Sequence, residues 1–350
     1  MSKWTKQLRA YDDAISFEYD AFARENVIRT PSPYLNWIFG NKSGGFPKGS
    51  GILLFSSPKA GKSLISMSIL AQIHMDDPEA EVIVFNTEMR GKFQNLNFFK
   101  GLDKDRVTVY NSSRPEDVFD RLEKDIIPMV QDGMPLRAIV IDSITSIGGV
   151  KSDGRSITEH TVGDKALTIT KGWEKIMPLC KRYNISVIGV EQMRKNLDTF
   201  NPKAPKEKMA AIFSTRHNFE YFISIKKIGG SDGKQSLTGE VFVDEEIKDS
   251  KGNKDETGHQ VSFKMEDSSF GVRGRTGYLT IDYKKGIINT HEEIFELGKN
   301  TGVIGFKMPR TYSYEGRVWT SKGDCAEAIK NDPDMGNRIL EEVYAKDKKE

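Results

Sequence analysis

A chain of 350 residues with 37% hydrophobic and 29% charged positions carries enough apolar material for a sizeable core, which excludes a disordered chain. Its formal net charge of +2 excludes a globally basic surface, so any contact with nucleic acid has to come from local clusters. Two distant cysteines, Cys180 and Cys325, exclude a disulfide framework and read as packing residues in a reducing compartment, and no apolar run approaches the roughly 18 residues of a membrane span.

The opening MSKWTKQLRAYDD lacks a signal-peptide core, which makes the cytoplasm the expected location. From Lys3 to about Arg24, Trp4, Leu8, Tyr11, Ile15 and Tyr19 recur at mostly three- and four-residue spacing and predict a helix. That helix either folds back on its own core or docks on a neighbouring subunit. Val27 to Pro33 reads as extended, and the glycine-rich GNKSGGFPKGSG as a loop. The stretch GILLFSSPKAGKSLISMSIL, Gly51 to Leu70, then passes from an apolar strand through a turn into a helix. Within it Ser56, Ser57, Pro58, Lys59, Ala60, Gly61, Lys62, Ser63 and Leu64 have the layout of a Walker A phosphate loop. Gly61 admits close backbone approach, Lys62 reaches the outer phosphates, Ser63 can ligate magnesium, and the helix start adds its N–H groups. Ser56 stands where the pattern G-x-x-x-x-G-K-[ST] has its first glycine, a departure that bears on the turn.

Further along, Val82 to Phe85, Val107 to Tyr110, Ala138 to Ile141 and Ser186 to Val190 are apolar runs alternating with helical segments, among them Asp164 to Tyr183. This is the rhythm of a parallel sheet with crossover helices. Ser113 and Glu116 have capping-box spacing, with Pro115 in the first turn. Ligands of such sheets bind beyond the carboxyl ends of the strands, and three polar residues fall there. Asp142 closes RAIVIDS, a Walker B pattern whose carboxylate would hold magnesium through its water shell. Glu88 closes VIVFNTE, where a carboxylate can orient or deprotonate the water that attacks a γ-phosphate. Gln192, in VEQMR, is placed to hydrogen-bond a γ-phosphate and report its presence. Two hydrophilic segments are long for idle connections: Gly148 to Lys165, and one from Arg194 to Lys208 with five basic against two acidic residues. Both suit a phosphate polymer at the edge of the sheet. The charged DEEIKDSKGNKDETG, between Gly229 and Gly258, predicts a surface hairpin.

In this order VIRTPSPYLNWIFG, GGFPKGSG, the degenerate loop, NTE, VIDS and VEQMR resemble the RecA family of homologous recombinases, and most of all its phage UvsX type. The tail GIINTHEEIFELGKNTGVI followed by RTYSYEGRVWTSKGDCAEAIKNDPDMGNRILEEV extends the resemblance over nearly the whole chain. The resemblance implies an α/β fold: a RecA-like P-loop ATPase core over 33–290 with a mostly parallel twisted sheet flanked by helices. It adds an N-terminal docking helix and extended segment over 1–32 and a small C-terminal α+β domain over 291–350. ATP and Mg2+ are the implied cofactors, Glu88 the water-activating carboxylate and Gln192 the γ-phosphate sensor. Residues 148–165 and 194–211 become two DNA-binding loops, with Lys165, Arg194 and Lys195 as phosphate contacts. The implied activity is DNA-dependent ATP hydrolysis coupled to strand exchange. A helical filament on single-stranded DNA would pair it with homologous double-stranded DNA in recombination, repair and recombination-dependent replication. A single-strand-binding protein and a recombination mediator are further implied partners, and no membrane is. In cellular members a lysine pair from the neighbouring subunit reaches the γ-phosphate; the matching VSFKMEDSSFGVRG offers Lys264, Arg273 and Arg275, while Glu266 and Asp267 oppose that work. A ring-shaped replicative helicase on the same core, and a regulatory nucleotide-binding protein without DNA, are the alternatives.

Overall fold

The computed structural model describes residues 7, 20–89, 99–148, 162–195, 207–209, 217–228, 243–248 and 254–346. For 162–166, 194–195, 207–209, 243–248 and 254–255 it describes the backbone alone. Ten strands form one sheet: β1 (Gly51–Ser56), β2 (Glu81–Asn86), β3 (Val107–Tyr110), β4 (Leu136–Asp142), β5 (Ser186–Lys195), β6 (Glu207–Met209), β7 (Tyr221–Lys227), β8 (Gly258–Ser268), β9 (Thr276–Asp282) and β10 (Gly286–Ile288). Their spatial order is β10, β9, β8, β7, β1, β5, β4, β2, β3, with β6 paired to the end of β5. From β7 to β3 neighbours run parallel. Beyond β7 the sheet continues antiparallel through β8, β9 and β10. The helices are α1 (Pro33–Ile38), α2 (Lys62–Asp76), α3 (Val162–Arg182), α4 (Thr290–Asn300), α5 (Lys322–Asn331) and α6 (Pro333–Ala345), with a further helical run over 116–131.

The parallel strands read as unbroken apolar runs because both of their faces are covered. Their pleat sends alternate residues to opposite sides. Ile52, Leu54, Val82, Val84, Ala138 and Val140 join one apolar cluster with α1 and α2, while Leu53, Phe55, Ile83, Phe85, Ile139 and Ile141 join another with α3 and the 116–131 run. In the second cluster the Trp173 ring is met edge-on by Phe119 and Phe219, with centroids 5.2 and 5.3 Å away. The expected crossover layout is therefore present, and α3 covers nearly the span predicted for it. Strand β5 runs on to Lys195, well past the end of its apolar part.

Three expectations change at their edges. Residues 20–23 form a turn and Arg24–Asn26 a single 3-10 turn, so the N-terminal helix stops short of Arg24, and apart from Gln7 its remainder lies outside the described residues. The 116–131 run starts without a side-chain cap, so Ser113 and Glu116 form no capping box. Ser112 Oγ donates to Asp117 Oδ2 at 2.5 Å and accepts from Arg114 N at 3.2 Å. Ser113 is buried, with its hydroxyl unpartnered among the described residues. The predicted hairpin has its two strands, Val243–Lys248 paired antiparallel with Lys254–Glu256, while residues 249–253 between them lie outside the described residues.

After the sheet, α4 leads to three short antiparallel strands, Gly305–Lys307, Thr311–Tyr314 and Arg317–Trp319, and then to α5 and α6. Phe295, Leu297, Ile304, Ile339 and Tyr344 of this part belong to the same apolar cluster as α1 and α2. Glu293, fully buried on α4, accepts hydrogen bonds from Ser32 Oγ at 2.5 Å and Tyr34 N at 3.1 Å. Ser32 Oγ in turn accepts from Leu35 N and caps α1, so a side chain from residue 293 fixes where a helix begins at residue 33. Both cysteines are free and buried, and among the described residues no helix is long and apolar enough to cross a membrane.

Candidate functional site

The register of the parallel strands brings four predicted or neighbouring positions to the same carboxyl edge of the sheet, in two rows two residues apart. Ser56 of β1 pairs with Gln192 of β5, Asp142 of β4 lies beside Val190 of β5, and Asn86 of β2 pairs with Asp142. Between β1 and α2 the chain turns through Lys59 and Gly61, at φ 62° and 91°. At Gly61 this left-handed backbone coincides with a close approach, since a Cβ there would lie 2.5 Å from Ile281 Cδ1 of β9. Only glycine meets both conditions. The first N–H groups of α2 consequently face the loop, a ready anion site.

Lys62 is buried, and its ammonium folds back over the loop: Nζ donates to Ser56 O at 3.2 Å, Ser57 O at 3.1 Å and Ser56 Oγ at 2.6 Å. Ser56 keeps the extended backbone of a strand end, so the missing glycine leaves the turn intact. Ser63 Oγ donates to Asp142 Oδ2, which brings the predicted hydroxyl and carboxylate together across the loop. An all-oxygen pair of this kind suits magnesium, which keeps several waters and substrate oxygens in its shell. Among the described residues no cluster of three or more His, Cys, Asp or Glu competes with it as a metal site.

Glu88 follows β2 and faces the same space. Gln192 Nε2 donates to its Oε1, and Ser143 Oγ lies 3.3 Å from the same oxygen. Ser143 is itself within 3.1 Å of Thr145 Oγ1 and 3.0 Å of Ser146 Oγ. Thr87 ties the two strand ends together by donating from its N–H to Asp142 O at 2.9 Å and from its hydroxyl to Ser143 O at 2.6 Å. These bonds fix where the Glu88 side chain begins.

The loop, Glu88, Asp142 and Gln192 line a cavity of about 540 Å³ together with Phe99, Glu256, His259 and Tyr283. That volume falls within the usual range for small-ligand sites. His259 comes from the antiparallel limb and is 1% exposed. Its Nδ1 lies 3.0 Å from Tyr283 Oη, and its Nε2 faces the back of the loop, 3.4 Å from where a Gly61 Cβ would stand. Burial, and after it the nearby Lys227, pull the imidazole below its ordinary pKa. Lys227 is paired with Glu256 at 2.6 Å. Neither His259 nor Tyr283 was legible beforehand, because nothing in their local sequence announces proximity to a loop some 200 residues earlier.

The proposed DNA contacts are placed less fully. Lys165 lies in the first turns of α3, and Arg194 and Lys195 end β5, where they pair with Lys208 and Glu207 of β6. Their side chains, and residues 149–161, 196–206 and 210–211 of the two predicted loops, lie outside the described residues. Of the cations considered for action across a subunit boundary, Arg275 is engaged within the chain. It donates to Trp37 O at 2.9 Å and stacks 4.6 Å over the Trp37 ring. Lys264 and Arg273 are exposed and paired with Glu266 and Asp267 at 2.7 and 2.8 Å.

No family model matches the sequence. Among curated proteins, "Protein RecA" of Mesomycoplasma hyopneumoniae (strain 7448) is 23% identical over 305 residues, covering 87% of this chain and 81% of that protein. "Protein RecA" of Mycoplasma mycoides subsp. mycoides SC is 22% identical over 309 residues, covering 86% and 78%. The protein of the same name from Mesoplasma florum is 23% identical over 301 residues, covering 85% and 80%. With a large, mostly parallel sheet flanked by helices and matches of this extent, the chain is a distant homologue of the RecA proteins over most of its length.

Proposed function

We propose that the chain is an ATP-dependent DNA strand-exchange recombinase of the phage UvsX type, acting in recombination, repair and recombination-dependent replication. The observation that carries this reading is the convergence of the phosphate loop, Glu88, Asp142 and Gln192 on one cavity at the carboxyl ends of the parallel strands, with the starts of both long hydrophilic segments at the same edge. Homology to RecA proteins over most of the chain supports it.

Lys62 and the first N–H groups of α2 receive the triphosphate, and the wall of Phe99 and Tyr283 receives the nucleoside. Mg2+, held by Ser63 and through water by Asp142, would neutralise charge on the β- and γ-oxygens. Glu88 orients the attacking water and accepts its proton. Gln192, which gives its amide hydrogen to Glu88, has a γ-phosphate oxygen as a competing acceptor, so its position reports nucleotide state into the β5 to β6 segment. Lys165, Arg194 and Lys195 contact DNA phosphates, which gives salt-sensitive, sequence-independent binding, with homology read by base pairing.

Residues 1–32 dock on the next subunit of an open helical filament, 33–290 form the ATPase core and 291–350 a small C-terminal domain. A single-strand-binding protein and a recombination mediator act with it in the cytoplasm of the host. The deciding experiment is joint-molecule formation between a labelled single strand and homologous supercoiled duplex with ATP and Mg2+, for wild type and Lys62→Ala. Homology-dependent pairing lost in the variant is the expected result. Protein that binds ATP and single-stranded DNA without pairing them would replace this reading with a helicase or a regulatory protein.

A further inference from the structure

The ammonium of Lys62 has three N–H donors, and oxygens of the loop itself can take all three. Two of those acceptors, Ser56 O and Ser57 O, are backbone carbonyls and exist whatever the side chains are. The third, Ser56 Oγ, is also the nearest at 2.6 Å, and it exists only because position 56 carries serine where the Walker pattern has glycine. Ser56 is 1% exposed, and its own hydroxyl proton goes to Ser57 O at 2.7 Å, which leaves its lone pairs to face the ammonium. The backbone makes no demand for glycine here, since residue 56 is extended and in register with Gln192. A phosphate that recruits Lys62 must compete with an oxygen that a glycine-bearing loop would lack.

We propose that Ser56 is a positioning residue that competes with the phosphates of a nucleoside triphosphate for Lys62, and so sets a weaker hold on nucleotide than the rest of the site would give. The inference rests on the nucleotide-binding reading above and deepens it. The Ser56 hydroxyl bonds to Lys62 and Ser57, whereas Glu88 is held by Gln192 and Ser143. Its influence therefore falls on binding in ground state and transition state alike, which moves KM and leaves kcat in place.

The test is titration calorimetry of ATP with Mg2+ into wild type, Ser56→Ala, Ser56→Gly and Lys62→Met, together with steady-state hydrolysis. Ser56→Ala decides, because it removes the hydroxyl and keeps the Cβ, so added backbone freedom plays no part. The expected result is a Kd about threefold to tenfold lower than wild type, the worth of one net hydrogen bond, with KM lowered in step and kcat unchanged. A Kd for Ser56→Ala equal to or above wild type overturns the inference. If wild type binds ATP and Lys62→Met does not, that failure leaves the nucleotide-binding reading standing; if wild type itself binds no ATP, both fall.

Discussion

Replacing Glu293 with Gln tests how helix α1, ahead of the large sheet, is fastened to the helix that follows the sheet. The carboxyl is fully buried, and burial pushes its pKa up to about 8 from 4.5, against the hydrogen bonds from Ser32 and Tyr34 N that favour the charged form, with the charge of Glu292 adding to the rise. Below about pH 4.5 the folded and unfolded chains both hold the proton and the group contributes no pH dependence. Between that value and about 8 the folded state binds more protons, so stability falls as pH rises through the folded pKa. Above about 8 the full cost of a buried carboxylate is present, on the order of 5 kcal/mol for a difference of this size. Glu293→Gln keeps an oxygen acceptor for Ser32 Oγ and Tyr34 N but has no proton to lose. Urea unfolding followed by circular dichroism, at constant ionic strength from pH 5 to pH 8.5, should show the variant gaining on wild type by several kcal/mol across the range. Parallel stability curves for the two proteins would refute the reasoning, because they would mean that the carboxyl does not change its charge state in the folded chain over this interval.

Three further outcomes follow from the site. Glu88→Gln should retain ATP binding and lose turnover by about 10²- to 10⁴-fold, the usual worth of a general base, in a phosphate-release assay; undiminished turnover would remove Glu88 from the chemistry. Tyr283→Phe and His259→Asn should each raise KM for ATP severalfold with little change in kcat, and the double variant should be no worse than the poorer single one, since the hydroxyl and the imidazole hold each other at 3.0 Å. Additive effects would separate their roles. Alanine at Arg194 or Lys195 should lower the slope of log affinity for single-stranded DNA against log salt by about 0.7 each, measured by fluorescence anisotropy, and an unchanged slope would exclude that residue as a phosphate contact.

The two halves of the sheet differ in how far the sequence reveals them. In the parallel half, strands covered on both faces must be apolar throughout, and crossover helices must separate them, so β1, β2, β4 and β5 stand out as short apolar runs in a regular rhythm. The phosphate loop, Asp142, Glu88 and Gln192 stand out for a related reason, because each follows directly from the end of such a run. In the antiparallel limb the runs are interrupted: β8 alternates around Lys264 and Glu266, and β9 has solvent on part of one face. The capping box expected from Ser113 and Glu116 does not form, because the Ser113 side chain is buried, and spacing alone does not say which way a serine faces.

By itself, then, the sequence determined the α/β class, the strand–loop–helix layout at Gly51 to Leu70 and the polar residues at strand ends, since these depend on local periodicity and on residues contiguous in the chain. Only the tertiary structure decided which distant groups close the site. His259 and Tyr283 back and wall the loop because β8 and β9 pack on the far side of β7, and Glu293 caps α1 from the other end of the sequence. The structure also showed what Ser56 does in the place of a glycine: its hydroxyl turns toward Lys62, a contact set by the path of the loop in space and absent from any pattern of spacing.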